Sequence, residues 1–242
     1  METWTSSALA FGLAAAIALG ATNAGAIVGR THEPGSAGAS LVMVLGRATG
    51  RAGFCSGVVI GPRAVLTAGH CAHTPADTRL HFKDANGTPV LLDVDRVVRH
   101  PGYRADAIAA RVKSVDLAIV FARDDLPARF TPVRIAAASE GIGASFTIAG
   151  FGLSQEGDPR SAGTLQVAEV ALRAPQSSLL LWLSGEGGAC TGDSGGGVFD
   201  RDAALVGVIA FAAGSGQARC GALTQAVRVA PFRSWIEETI GR

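Results

Sequence analysis

The residues best suited to chemistry include a serine in an unusually glycine-rich setting. Ser194 follows Asp193 and precedes Gly195 in the segment 190–197, which reads CTGDSGGG. Glycines permit a tight turn that presents the serine hydroxyl without neighbouring side chains in the way. The same turn leaves the backbone N–H groups of Gly192 and Ser194 free to converge on a developing oxyanion. Because a hydroxyl is a weak nucleophile at neutral pH, a base and an orienting carboxylate must come from elsewhere in the chain.

His70 and Asp116 are the candidates for those two roles. His70 ends the apolar run 64–68 and precedes Cys71, and Asp116 lies in the sequence Val-Asp-Leu-Ala-Ile-Val at 115–120. We predict that Asp116 is embedded in a strand, where burial is costly unless a partner such as an imidazole N–H bonds to it. The order His, Asp, Ser along the chain is one of the known orders of such a triad. The alternative is that Ser194 lies in an ordinary glycine-rich loop. Three other acids could compete with Asp116 but lie in polar surroundings, namely Asp93, Asp95 and Asp106. Four other histidines lack a partner motif, namely His32, His73, His81 and His100.

Four cysteines, Cys55, Cys71, Cys190 and Cys220, allow three pairings. Each consecutive pair flanks an apolar stretch that could fold back as a hairpin, so local pairing is the simplest interpretation. The alternative is a metal site around His70-Cys71-Ala72-His73. It lacks the repeated Cys-x-x-Cys or His-x-x-x-His partner that a tetrahedral site needs. We therefore expect structural cysteines and no metal or other cofactor.

The elements that must position these residues are short and apolar. The chain has 242 residues, of which 48% are hydrophobic, 17% are charged and 32 are glycine, which is enough apolar material for a buried core. Apolar runs separated by Gly, Pro, Asn and Asp predict an all-β protein of two barrels, with a hairpin turn at Asn86-Gly87, a connection over 124–132 and a C-terminal helix over 231–240. The predicted strands lie in the runs 41–45, 57–60, 64–68, 80–82, 90–98, 117–121, 146–149, 165–172, 179–183 and 205–211.

The first 26 residues are typical of a signal peptide. Residues 8–21 are 14 residues without a charge, short for a membrane span but suited to a signal-peptide core. Ala24 and Ala26 supply small residues for cleavage after Ala26. A buried helix or short anchor is the alternative, because the preceding residues lack Lys or Arg and include Glu2. We expect a secreted or periplasmic protein without a stable membrane anchor, in an oxidising compartment that favours disulfides.

These residues resemble the chymotrypsin/trypsin-like serine proteases over nearly all of the chain after residue 26. The resemblance implies an all-β fold of two six-stranded Greek-key β-barrels, chymotrypsin-like, with a C-terminal α-helix. It implies a peptidase domain over 27–242, with barrels at about 27–125 and 132–229, a helix over 231–240 and the active site between the barrels. The motifs that carry it are Ile27-Val28-Gly29, the segment from Cys55 to Cys71, Asp116-Leu117-Ala118, Ile148-Ala149-Gly150-Phe151-Gly152, the serine segment, Cys220 and the C-terminal segment containing Trp235.

The resemblance also implies a role for each candidate residue. Ser194 attacks the scissile carbonyl, His70 shuttles the proton and Asp116 orients His70. The backbone N–H groups of Gly192 and Ser194 form the oxyanion hole. Asp193 pairs with the ammonium group of a new N-terminus at Ile27, and this buried pair shapes the oxyanion hole. Because the predicted cleavage site abuts Ile27, export itself would generate the active N-terminus.

The chain departs from the family pattern in the substrate pocket. Gly188 stands where members that cut after Arg or Lys carry an aspartate, so a cationic side chain would lack a counter-charge. We expect Ala212 and Thr224 to line the rest of the pocket and cleavage to follow an uncharged residue. Ala210 stands where the family commonly has a serine that supports the catalytic carboxylate, which predicts reduced activity.

The sequence thus predicts an exported serine endopeptidase that acts on proteins or peptides, is open to a protein inhibitor and is a monomer. A catalytically silent homologue used for binding and an esterase with the same triad are the alternatives. With 21 basic and 20 acidic residues the formal net charge is +1, which provides no field to attract nucleic acid.

Overall fold

The computed structural model describes residues 27–32, 35–48, 50–110, 112–137, 141–175 and 177–241, and the predicted signal segment and its cleavage site lie outside these residues. The first seven strands are β1 (Val28–Gly29), β2 (Leu41–Ala48), β3 (Arg51–Val59), β4 (Ala64–Thr67), β5 (Thr78–Lys83), β6 (Pro89–Arg99) and β7 (Ala118–Ala122). The next seven are β8 (Ser145–Gly150), β9 (Gln166–Leu172), β10 (Leu180–Gly185), β11 (Gly187–Gly188), β12 (Gly197–Phe199), β13 (Leu205–Ala213) and β14 (Leu223–Arg228).

Twelve of these strands form two closed antiparallel barrels of six strands each. The first barrel has the order β2-β3-β4-β7-β6-β5, and the second has the order β10-β14-β13-β12-β8-β9. The remaining strands, β1 and β11, pair with each other, Val28 opposite Gly188. The predicted fold class is therefore confirmed.

The burial pattern of the strands explains how they pack. In β5 the buried residues Thr78, Leu80 and Phe82 alternate with more exposed neighbours, as expected for a strand with one face in a core. All five residues of β7 are buried. Because successive side chains of a strand point to opposite faces, Val120 packs into the first barrel while Ile119 packs into a core between the barrels.

The buried apolar side chains of the described residues form three cores, one inside each barrel and one between the barrels. The core between them joins Leu41 and Leu66 of the first barrel to Val208 and Val227 of the second. Ile236 of the C-terminal helix is fully buried in the same core.

The described part of the chain has two α-helices, both short, which are α1 (Ala107–Ala110) and α2 (Arg233–Ile240). The helix predicted from residue 231 thus begins at Arg233. It is preceded by a 3-10 turn, Ala230–Phe232, in which Pro231 is tolerated because it sits in the first turn. None of the helices within the described residues has both the length and the apolar character needed to cross a lipid bilayer. Further 3-10 turns cover Gly35–Ser40, Gly69–Cys71, Pro75–Asp77 and Pro159–Ser161.

Candidate functional site

A cavity of about 850 Å³ opens between the two halves of the molecule and collects the candidate residues. His70 and Asp116 line it from the first half of the chain, and Gly192 and Ser194 line it from the second. The three side chains singled out by sequence therefore face one cavity. We call it the central cavity.

His70 and Asp116 form a close pair. His70 lies in the 3-10 turn Gly69–Cys71, directly after β4. Its Nδ1 is 2.7 Å from Asp116 Oδ2, and its backbone N–H donates to Asp116 Oδ1 at 2.9 Å. The carboxylate thus fixes both the ring and the backbone of the histidine. The His70 side chain is 40% exposed, which leaves the ring accessible from the cavity.

Asp116 is not embedded in a strand, contrary to the prediction. Strand β7 begins two residues later at Ala118, and the Asp116 side chain remains 18% exposed. Gly69 allows the carboxylate to approach, because a Cβ there would lie 3.1 Å from Asp116 Oδ1 and 2.8 Å from the ring of Tyr103. Burial raises the pKa of the Tyr103 hydroxyl, and the negative charge of Asp116 raises it further.

The turn that contains Ser194 requires glycine at two positions. Gly192 has φ +96° and Gly195 has φ +83°, in the left-handed region that other residues rarely adopt. A Cβ on Gly192 would lie 2.1 Å from the ring of Phe54, so the site has no room for one. Within the described part of the chain, the N–H groups of Gly192 and Ser194 donate to no protein acceptor, whereas those of Asp193, Gly195 and Gly196 do.

Ser56 of β3 ties this turn to the first barrel, and the sequence analysis missed it. Its backbone N–H donates to the Ser194 carbonyl at 2.8 Å, and its carbonyl accepts from Thr67 Oγ1 at 2.8 Å. Its hydroxyl donates to the Gly192 carbonyl at 3.0 Å and accepts from the Phe151 N–H at 2.9 Å. A lone serine after a cysteine carries no motif, so only the three-dimensional contacts identify it.

Asp193 is fully buried directly beneath the Ser194 turn. Its Oδ1 accepts from Gly152 N–H at 2.8 Å and its Oδ2 accepts from Cys190 N–H at 2.9 Å. The backbone N–H of Ile27 also donates to this carboxylate. Burial raises the pKa of Asp193 to about 7, although the three N–H donors oppose this shift. Gly150 and Gly152 make room, because a Cβ on either would come within 2.3–2.6 Å of the carboxyl group.

The cysteines pair locally, Cys55 with Cys71 and Cys190 with Cys220. The first disulfide lies beside His70, whose ring comes within 4.8 Å of the two sulfurs. These sulfurs are bonded to each other and therefore offer no thiolate to a metal ion.

The predicted pocket residues divide into two groups. Ala212 lines the central cavity, but Gly188 and Thr224 are not among the described residues that do. Gly188 is covered by the backbone of Gly221, because a Cβ there would lie 2.4 Å from the Gly221 carbonyl oxygen. Thr224 is 1% exposed, and its Oγ1 accepts from the Ala189 N–H at 2.9 Å.

The cavity has further lining residues that carry no sequence motif. Its apolar lining includes Phe54, Leu179 and Phe211, and its cations are Arg104, Lys113 and Arg219.

The double barrel has the chymotrypsin-like fold, and the family match identifies the chain as a serine endopeptidase. The family model described as Trypsin matches residues 27–236, and the chain belongs to the trypsin family.

Two relatives illustrate the similarity. Trypsin 5G1 of Aedes aegypti is 29% identical over 214 residues, which cover 79% of this chain and 77% of that protein. Alkaline trypsin B of Manduca sexta is 28% identical and covers 94% of this chain and 96% of its own. Among solved structures, neuropsin, a serine protease expressed in the limbic system of mouse brain, superposes with a TM-score of 0.69 at 23% identity, over 88% of this chain and 98% of its own. The likeness to neuropsin shows that the two chains share a fold.

Proposed function

We propose that this chain is an exported serine endopeptidase that cleaves peptide bonds through an acyl-enzyme on Ser194. The observation that carries the proposal is the paired contact between His70 and Asp116 on the same cavity as Ser194. An imidazole held by a carboxylate at Nδ1 presents Nε2 as a base. The serine turn adds two N–H groups that meet no acceptor among the residues the structure describes, which suits an oxyanion hole.

The proposed reaction proceeds in two halves. Ser194 Oγ attacks the scissile carbonyl carbon while His70 Nε2 takes the hydroxyl proton and Asp116 stabilises the imidazolium. The Gly192 and Ser194 N–H groups bind the negatively charged oxygen. The C–N bond then breaks as His70 gives the proton to the leaving amine. Water, activated by His70, hydrolyses the ester and regenerates Ser194.

The proposal includes cleavage after Ala26, so that Ile27 becomes the N-terminus. Ile27 is 1% exposed, and its nitrogen already contacts the Asp193 carboxylate. An ammonium group there would give the buried carboxylate a counter-charge, which an amide does not supply. Sequencing the N-terminus of exported protein tests this step, and a start at any residue other than Ile27 would contradict it.

The central experiment is intact mass measurement of the exported chain before and after a fluorophosphonate. We expect one adduct on the wild type and none on Ser194→Ala. If a chain that starts at Ile27 gives no adduct, the catalytically silent binding role replaces the proposal. If the adduct forms but peptides are not cleaved while esters are, the protein is an esterase.

We further propose that cleavage follows an uncharged residue. The described lining of the central cavity carries the cations Arg104, Lys113 and Arg219, and its one carboxylate, Asp116, is already paired with His70, so a cationic side chain would find no free counter-charge there. Peptide p-nitroanilides that differ only in Leu, Phe, Ala or Arg before the scissile bond check this. We expect the Arg substrate to be the slowest, and faster turnover of Arg than of the other three would refute the preference.

A further inference from the structure

The first barrel carries a second cavity, which β2 and β6 line together with the segment that follows Cys71. It has a volume of about 490 Å³, within the range of about 300–1,000 Å³ that is typical of small-molecule sites. Arg47 of β2, Arg99 of β6 and His73 reach it from three separate segments. None of the described residues that line it also lines the central cavity. We call it the basic cavity.

Positive charge predominates in the lining of the basic cavity. Arg47 and Arg99 are both exposed, and neither makes an ion pair with any residue that the structure describes. Asp77 is the one carboxylate in the described lining, and its Oδ2 already accepts from the Thr74 hydroxyl at 2.7 Å. Two guanidinium groups thus stand against one engaged carboxylate. This arrangement attracts an anion and repels a cation.

Arg99 is held in place by the turn that contains His70. Its Nε donates to the Gly69 carbonyl at 3.1 Å, and an Nη group donates to the Ala72 carbonyl. A guanidinium has five N–H donors, so three are left without an acceptor among the described residues. Because the side chain is already ordered, a ligand that binds it causes little further loss of conformational entropy.

The His73 ring is fixed against β2. A Cβ on Gly46 would lie 2.4 Å from His73 Cδ2 and 2.8 Å from its Nε2, so the glycine makes room for the ring. The backbone N–H of His73 donates to Thr78 Oγ1 at 3.3 Å, which ties the residue to β5. A neutral imidazole keeps one N–H donor, which adds to the donors of the two arginines.

These donors favour a phosphate group over a carboxylate. Guanidinium groups bind the oxygens of either anion in pairs. A carboxylate has two oxygens, whereas a phosphate ester has three strong acceptor oxygens arranged tetrahedrally, which suits donors from three segments. Ala48, Pro75 and Val97 add apolar surface that accommodates a small organic group. We infer that the basic cavity binds a dianionic phosphate group, free or esterified to a small molecule, and that binding fixes Arg99 and thereby the His70 turn.

Isothermal titration calorimetry of the Ser194→Ala chain tests the site, with inorganic phosphate and phenyl phosphate as ligands at pH 8 and constant ionic strength. We expect saturable binding that Arg47→Gln weakens about tenfold, since a charge-assisted hydrogen bond is worth about that factor or more. Tighter binding of phenyl phosphate would support an esterified ligand, and equal or tighter binding of inorganic phosphate would support the free anion.

Arg201→Gln is the matched control for the charge change. Arg201 is exposed, makes no ion pair with any described residue and is not among the described residues that line the basic cavity. This variant should bind phosphate as the wild type does. Absence of binding, or equal loss in the two variants, would overturn the inference. Binding that survives Arg47→Gln unchanged would place the anion elsewhere, such as at the cations of the central cavity, and would overturn it too.

Hydrogen exchange tests the coupling to the turn. The N–H groups of Cys71 and Ala72 donate to the carbonyls of Ala68 at 3.0 Å and Gly69 at 3.4 Å. With the ligand at ten times its Kd, we expect their exchange to slow about tenfold, because opening of the turn must release the ligand. At the same concentration Arg47→Gln should slow only about twofold, since its Kd is tenfold higher.

Arg99→Met completes the test, because it removes both donors to the turn and keeps an unbranched side chain. Exchange of the Cys71 and Ala72 amides should be faster in this variant even without a ligand. Phosphate that binds in an Arg47-dependent way but leaves this exchange unchanged would overturn the coupling. These readouts require no proteolysis, so their outcome is independent of the fluorophosphonate experiment that tests the proposed function.

Discussion

Ser56 shows how one side chain outside the predicted triad can control the proposed oxyanion hole. Its hydroxyl donates to the Gly192 carbonyl and accepts from Phe151 N–H, while its backbone N–H holds the Ser194 carbonyl. The hydroxyl therefore fixes the peptide group between Gly192 and Asp193, which lies between the two peptide groups that carry the Gly192 and Ser194 N–H donors. We regard Ser56 as a positioning residue that acts through the turn and does not touch the substrate.

We expect Ser56→Ala to lower kcat about tenfold with little change in KM. Outright removal of an oxyanion-hole donor costs about 10²–10³ in kcat, so a misplaced donor costs less. Steady-state kinetics with a short substrate measure the split. Ser161→Ala is the matched control, because its hydroxyl makes three hydrogen bonds in a loop outside the site. A rise in KM alone, or equal loss in the control, would assign Ser56 a structural role only.

At this scale the sequence was informative where chemistry restricts the residue type. A serine among glycines, a histidine before a cysteine and an aspartate beside an apolar run are rare combinations, and all three face one cavity. The expected burial of Asp116 in a strand was wrong because apolar neighbours at 117–121 do not reveal where pairing begins. The role of Ser56 could not be predicted from the sequence, since it depends on contacts with residues far away in the chain.

At the scale of elements, strands with regular patterning were predictable. Strand β5 alternates buried and exposed residues, and β7 is uniformly apolar because a core lies on each side. Strands β12 and β14 were missed as separate strands. The three residues of β12 are too few to show a period, and β14 reads Leu-Thr-Gln-Ala-Val-Arg, in which Thr224 and Arg228 are buried despite being polar.

Buried polar groups in these elements have partners that sequence does not reveal. Thr224 bonds to the Ala189 N–H, and the Arg228 guanidinium donates to the Ser177 carbonyl at 2.7 Å. Burial lowers the pKa of Arg228. The position of Gly188 under the Gly221 backbone could not be predicted either, because it depends on how two segments distant in the sequence pack together.

At the scale of the whole molecule, Asp193 couples the N-terminus to the serine turn. In a chain that retains residues before Ile27, burial holds the pKa of Asp193 at about 7, above its ordinary value of 3.8. The folded state then binds a proton more tightly than the unfolded state does. The free energy of unfolding therefore falls as the pH rises through the interval between those two values.

We expect this loss of stability in an N-terminally extended Ser194→Ala chain and not in a Ser194→Ala chain that starts at Ile27. In the latter, an ammonium group favours the charged carboxylate and lowers its pKa. Urea unfolding at pH 5, 6, 7 and 8 measures the difference. Asp193→Asn in the extended chain should remove the pH dependence of this group, and identical profiles for the two N-termini would refute the coupling.

The hydrogen bonds of the serine turn to both barrels have a kinetic consequence. Ser56 holds the turn from the first barrel, and the Ile209 carbonyl holds it from the second through Gly195 N–H at 2.7 Å. Contacts between segments so distant in the chain form late, because closing the intervening loop costs entropy beforehand. We therefore expect a newly made chain to complete its serine turn only when the two barrels dock. Proteolytic activity would then not precede complete folding.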